Sequence, residues 1–188
     1  MATIAAAALR GGAEIIQLRH KSLGRRDLLA LARRLRAPTR AAGALLVVND
    51  HVDLALLSEA DGVHLGADDL SIAAARRIAG DGLLIGGSAS TPDAALGAIE
   101  SGADYIGCGP AFATPLKPQK AVIGPSGVAA VAKAVGASVP VWAIGGIDAS
   151  NIAQLTAAGV QRACVVRAVA EAPDPEAAAR VLRAMLEA

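Results

Sequence analysis

Short aliphatic runs alternate along this chain with amphipathic stretches rich in Ala, Leu and Arg, and that alternation restricts the fold more than any other feature. Strands are expected at 14–19, 44–48, 62–65, 83–87, 105–109, 139–144 and 162–166. Helices are expected at 24–41, 52–58, 71–79, 92–101, 125–135, 149–158 and 175–186. Thr91-Pro92 and Asp174-Pro175 each place a side-chain acceptor before a proline at the first helical position. Gly43, Gly102 and Gly159 fall where helices should stop. Apolar strands separated by helices build a parallel sheet covered by helices.

A doubly wound sheet and a (β/α)₈ barrel both satisfy this pattern. No Gly-x-Gly-x-x-Gly follows the first strand, which weighs against dinucleotide binding. Lys21, Asn49-Asp50, the turn from Gly66 to Asp69, Ser88, the loop from Thr114 to Lys117, Gly145-Gly146 and Arg167 all fall at or just beyond strand carboxyl ends. That rim carries the chemistry of (β/α)₈ barrels, so the expected fold is a TIM barrel in one domain spanning 1–188. The count is one strand short, because Met1 already lies in what reads as the first helix. The strands at 14–19 and 162–166 should then present unpaired edges. Either the reading frame extends upstream with a strand-forming segment, or the chain closes as a homo-oligomer.

Apolar residues make up 54% of the chain but aromatics only 2%, so the core is built from Ala, Val, Leu and Ile. A net charge of +1, with basic residues scattered along helices, argues against nucleic-acid binding. Cys108 and Cys164 stand alone in apolar runs, which fits buried thiols in a reducing cytoplasm. Residues 1–9 are apolar but lack the basic start of a signal peptide, and no uninterrupted stretch is long enough for a bilayer. A cytoplasmic protein with no membrane partner is expected.

Several motifs carry possible chemistry. In Gln17-Leu18-Arg19-His20-Lys21 an extended chain points Gln17, Arg19 and Lys21 to one side, and a buried cationic face calls for an anion, most simply a phosphorylated small molecule. Asp50 and Asp69 end adjacent strand regions; they either converge on Mg²⁺ or cap the helices that follow. The glycines of Gly86-Gly87-Ser88, Gly107-Cys108-Gly109 and Gly145-Gly146 either cradle an anion or permit tight turns. Lys117 sits in a long loop after the fifth strand that could close over phosphate. His64, mid-strand, reads as a hydrogen-bonded structural histidine, and His20 as peripheral.

Taken together, Gln17-Leu18-Arg19-His20-Lys21, Asn49-Asp50, Asp61-Gly62-Val63-His64-Leu65-Gly66 with Asp69, Gly87-Ser88, Gly102-Ala103-Asp104-Tyr105-Ile106-Gly107 through Thr114 and Lys117, and Ala143-Ile144-Gly145-Gly146-Ile147 resemble the thiamine phosphate synthase family, in its order and spacing. The resemblance implies a (β/α)₈ barrel that joins hydroxymethylpyrimidine diphosphate to thiazole phosphate, releasing pyrophosphate by a dissociative route. It implies that Gln17, Arg19, Lys21, Asn49, Ser88 and Lys117 hold the pyrimidine diphosphate, with Lys117, Ser88 and Arg19 catalytic. It further implies Asp50 and Asp69 as Mg²⁺ ligands, and Thr114, Pro115, Leu116, Gly146, Val166 and Arg167 as the thiazole phosphate site. Three positions depart from the family: Leu116 replaces a second hydroxyl residue, Arg167 a common serine and His20 a common glutamate. The competing readings are a thiazole tautomerase of the same superfamily and a non-catalytic phosphate-binding barrel.

Overall fold

The computed structural model describes residues 1–115 and 118–187. Helix α1 (Ala2–Arg10) leads into β1 (Ile15–Leu18), followed by α2 (Arg25–Ala41), β2 (Leu45–Asn49), α3 (Val52–Leu57), β3 (Gly62–Leu65), α4 (Ile72–Ala79) and β4 (Leu84–Ala89). Then come α5 (Pro92–Glu100), β5 (Tyr105–Cys108), α6 (Gly124–Val135), β6 (Val141–Ile144), α7 (Ala153–Ala157), β7 (Ala163–Cys164), α8 (Arg167–Ala170) and α9 (Pro175–Glu187). The seven strands form one parallel sheet in sequential order. Sequential parallel pairing follows from the helical crossovers, and it aligns all the strand carboxyl ends on one side.

The core runs between the sheet and the outer helices. Leu28, Ala32 and Leu35 recur at helical spacing on α2 and pack with Leu18, Leu46, Val48, Val63 and Ile85. In the second half Ile106, Val128, Val131, Ala143, Ile152, Leu155 and Leu182 do the same. Both clusters are almost wholly aliphatic, with Phe112 packed against the second.

The helical ring is continuous where the sheet is not. Helix α1 packs on both α2 and α9. Arg10 pairs with Glu176 of α9 at 2.7 Å, and Arg183 of α9 donates to the Gly12 carbonyl at 2.7 Å. The two ends of the sheet therefore curl toward each other. Among the described residues β1 pairs only with β2 and β7 only with β6, so the strand barrel is open between them, as the count of seven anticipates. No helix among the described residues is long and apolar enough to cross a membrane.

Two differences from expectation have local causes. The helix expected at 149–158 is shortened to α7. Asp148 Oδ1 accepts from the Ser150 amide at 2.9 Å and Asn151 Oδ1 from the Asp148 amide at 3.0 Å, a reciprocal cap. The turns that follow close mainly through i→i−3 backbone bonds, Asn151 to Asp148, Gln154 to Asn151 and Leu155 to Ile152, so the regular α-helix is confined to α7. Helix α8 was not expected at all; Val166 leaves the strand and becomes its first flanking residue, which trims β7 to Ala163–Cys164.

Two arginine clamps hold the amino-terminal ends of the strands. Arg36 of α2 makes a bidentate pair with Asp61 at 2.8 Å, and Asp61 also accepts from the Leu46 amide of β2 at 2.7 Å. Arg76 of α4 and Asp104 repeat the arrangement on the Ile85 amide of β4. Arg36 and Asp61 are only 18% and 22% exposed, so truncating one leaves the other charged and half-buried. Asp61→Ala is expected to cost roughly 2–3 kcal/mol in a urea melt, while Glu59→Ala, beside it on the exposed surface, leaves the midpoint nearly unchanged.

Candidate active site

The carboxyl rim begins with Gln17 of β1, in register with Val47. Arg19 and Lys21 lie just past the end of β1 and are exposed, and Lys21 reaches across to β2, placing Nζ 3.1 Å from Asp50 Oδ2. The Asn49 side-chain amide donates to Asp50 Oδ1. Arg19 makes no ion pair among the described residues.

Asp50 sits at a sharp reversal. Its φ is +69°, and the His51 amide donates back to the Asn49 carbonyl at 2.9 Å, closing a γ-turn of the rare positive-φ kind. Asp tolerates this region better than most residues, yet such backbone collects at sites that hold ligands. The Asp50 amide donates to the His64 carbonyl of β3 at 2.8 Å, so the turn is tied to the next strand.

Beyond β3, Asp69 Oδ2 accepts from the Gly66 amide at 2.7 Å, and its carboxyl lies within hydrogen-bonding reach of Asp50. Neither aspartate caps a helix: α3 has no side-chain cap and Ser71 caps α4. Burial pushes the Asp50 pKa up, but its hydrogen bonds to Asp69 and Lys21, with the Lys21 charge, outweigh this and hold the carboxyl below its ordinary value. Asp50 is thus ionised at neutral pH. Two carboxyl groups side by side, with no third His, Cys, Asp or Glu grouped with them among the described residues, form an oxygen donor set of the kind a hard cation takes together with water and substrate oxygens.

The arc continues inside the barrel. His64 is buried; its Nε2 lies 2.9 Å from Ser88 Oγ of β4 and its Nδ1 lies 3.3 Å from Tyr105 Oη of β5. The structural histidine expected from sequence is hydrogen-bonded, but one of its partners is a candidate site residue. Gly86 and Gly107 form no tight turn. They lie within β4 and β5, where a Cβ on Gly86 would collide with the Tyr105 ring and one on Gly107 would stand 2.8 Å from His64 Cε1. Their task is to leave room for two rings, which the local sequence did not reveal.

Opposite this arc, Gly145 and Gly146 form a positive-φ turn after β6, with φ of +101° and +65°. The loop after β5 docks on that turn: the Ala111 and Phe112 amides donate to the Ile144 and Gly145 carbonyls at 2.8 and 3.0 Å. A Cβ on Gly146 would stand 2.9 Å from that of Phe112, so glycine is required there for space as well as for conformation. Thr114 and Pro115 are thereby carried to the Gly146 side of the rim. Val166 and Arg167, both exposed, start α8 on the neighbouring strand end. Leu116 and Lys117 lie outside the described residues. Cys108 and Cys164 have their thiols pushed up to about 11 by burial, which rules them out as thiolate nucleophiles at neutral pH.

The Thiamine monophosphate synthase family model matches residues 1–169 of this chain. The chain belongs to that family. It is 46% identical over 184 residues to the thiamine-phosphate synthase of Roseiflexus sp. (strain RS-1), covering 97% of this chain and 77% of the relative. It is 48% identical over 181 residues to that of Chloroflexus aurantiacus, covering 96% and 82%. Among solved structures, thiamine phosphate pyrophosphorylase from Pyrococcus furiosus superposes with a TM-score of 0.90 at 38% identity, covering 99% of this chain and 89% of that one. The barrel assignment and the enzyme class inferred from the rim motifs agree with these relatives.

The interior glycines supply a direct check on the site. Gly86→Ala is expected to cost about 1–3 kcal/mol through overpacking against Tyr105, whereas Gly82→Ala, which meets no atom within 4 Å, should shift the thermal midpoint little.

Proposed function

We propose that this chain joins the pyrimidinylmethyl group of hydroxymethylpyrimidine diphosphate to the ring nitrogen of thiazole phosphate, releasing pyrophosphate and thiamine phosphate. The observation that carries the reading is the junction of Lys21, Asp50 and Asp69 on adjacent strand ends, in a chain whose residues 1–169 match the family. In the reaction the bond between the methylene carbon and the diphosphate oxygen breaks, its electron pair leaving with pyrophosphate. The aminopyrimidine ring stabilises the cation that remains, and the lone pair of the thiazole nitrogen then forms the new C–N bond.

The residues divide the work by charge and position. Gln17, Arg19, Lys21, Asn49, Ser88 and Lys117 hold the diphosphate and neutralise the charge that grows on it as it leaves, with Arg19, Ser88 and Lys117 as the catalytic groups. Asp50 and Asp69 would hold Mg²⁺, which when bound supplies further positive charge to the leaving diphosphate. Thr114, Pro115 and Leu116, the Gly146 amide and the start of α8 at Val166 and Arg167 receive the thiazole phosphate, placing its nitrogen toward the methylene carbon. At Arg167 the backbone amide remains available, and the guanidinium adds a cation able to pair with phosphate. The substrates are small phosphorylated molecules, the setting is cytoplasmic, and neither nucleic acid nor membrane takes part. A homo-oligomer fits the open edges of β1 and β7.

The test is pyrophosphate release by the purified chain, given each substrate alone and both together, with and without Mg²⁺. Release should need both substrates and the metal. Asp50→Asn should lower kcat/KM by roughly 100-fold or more and abolish the Mg²⁺ dependence of pyrimidine diphosphate binding. Turnover of the thiazole substrate alone, without pyrophosphate, would instead identify a tautomerase; binding of phosphate compounds with no turnover would identify a non-catalytic barrel.

A further inference from the structure

Tyr105 has no part in the scheme above, yet it is one of three aromatic residues in the chain other than histidine, and it stands inside the barrel behind the rim. Its Oη is 3.3 Å from His64 Nδ1, and His64 Nε2 is 2.9 Å from Ser88 Oγ. The line crosses three strands, β5, β3 and β4. Register places His64, Gly86 and Tyr105 abreast, and Ser88 abreast of Gly107 one step nearer the rim. Gly86 makes room for the phenol and Gly107 for the imidazole. The two rings lie 5.6 Å apart, tilted by 33°. The line is therefore built into strand pairing rather than into a mobile loop.

The line can run in either of two polarities, since a neutral hydroxyl both donates and accepts. Burial raises the Tyr105 phenol well above its ordinary pKa, so it keeps its proton and can donate to His64 Nδ1. A neutral imidazole that accepts at Nδ1 carries its proton on Nε2 and donates it to Ser88 Oγ. The Ser88 hydroxyl hydrogen is then turned away from the ring, toward the rim. In the opposite tautomer that hydrogen would point at His64, and Ser88 would offer an anion only lone pairs.

We propose that Tyr105 is a positioning residue: through His64 it sets the imidazole tautomer and aims the Ser88 hydroxyl hydrogen at the diphosphate. The inference rests on the reading of Ser88 as a diphosphate contact. Its test combines kinetics of Tyr105→Phe, Ser88→Ala and the double variant with ¹⁵N NMR of the histidine rings, the His64 signals assigned by their loss in His64→Asn. Tyr105→Phe keeps the ring that Gly86 accommodates, so its melting midpoint should stay close to that of the wild type. Its kcat for pyrophosphate release should fall about three- to tenfold, the effect of one hydrogen bond, with KM for thiazole phosphate unchanged. Ser88→Ala should lose more, and adding Tyr105→Phe to it should change nothing further. The wild-type spectrum should show His64 protonated on Nε2.

An Nδ1-protonated His64 in the wild type overturns the proposal whether or not Tyr105→Phe folds. So does an equal loss from Tyr105→Phe in the wild-type and Ser88→Ala backgrounds, or full activity of Tyr105→Phe beside an impaired Ser88→Ala. In these three cases the synthase reading stands. Full activity of Ser88→Ala, or a wild type that releases no pyrophosphate, overturns the reading of the site and the proposal with it.

Discussion

Parallel pairing of short strands is the constraint on which the rest of the structure depends. Each strand hydrogen-bonds to the next in sequence, so every strand carboxyl end arrives on one rim. Residues far apart in the chain become neighbours there: Lys21 meets Asp50 across β1 and β2, and Asp50 meets Asp69 across β2 and β3. The opposite ends carry the Arg36–Asp61 and Arg76–Asp104 clamps, which tie each helix to the backbone of a strand. Stability is thus concentrated at one end of the barrel and chemistry at the other, a division common to this architecture.

The rim tolerates arrangements that would be unfavourable on their own. Asp50 adopts a positive-φ turn and shares space with a second carboxylate, which together raise the local cost of folding. Lys21 and the Asn49 amide offset part of that cost by holding Asp50 in its ionised form. Across the rim, the Gly145-Gly146 turn and the loop after β5 hold each other through backbone hydrogen bonds, so the two candidate substrate regions are built from different materials: charged side chains on one side, backbone on the other.

Much of this was legible in the sequence because the relevant signals are local. Hydrophobic runs and cap residues placed six of the seven expected helices within two residues of their observed ends. The rim residues declared themselves by falling just after apolar runs. What misled was equally local in origin: Gly86 and Gly107 look like turn glycines in isolation, and only the ring each one accommodates on another strand shows otherwise. The helix expected at 149–158 shortened to α7 because its first turns close through i→i−3 backbone bonds, a tightening that residue periodicity does not register.

By itself the sequence determined the alternation of elements, the parallel barrel class and the side of the barrel on which polar residues gather. The alternation follows from apolar patterning within single segments, which a doubly wound sheet would also satisfy; the barrel follows from the polar residues placed just after the apolar runs. Only the tertiary structure decided that Lys21 pairs with Asp50, that α1 and α9 close the helical ring around a sheet still open, among the described residues, between β1 and β7, and that Tyr105, His64 and Ser88 stand in one hydrogen-bonded line. Each of those depends on cross-strand register and side-chain direction, which are set by packing between segments distant in the chain and by nothing within either segment alone.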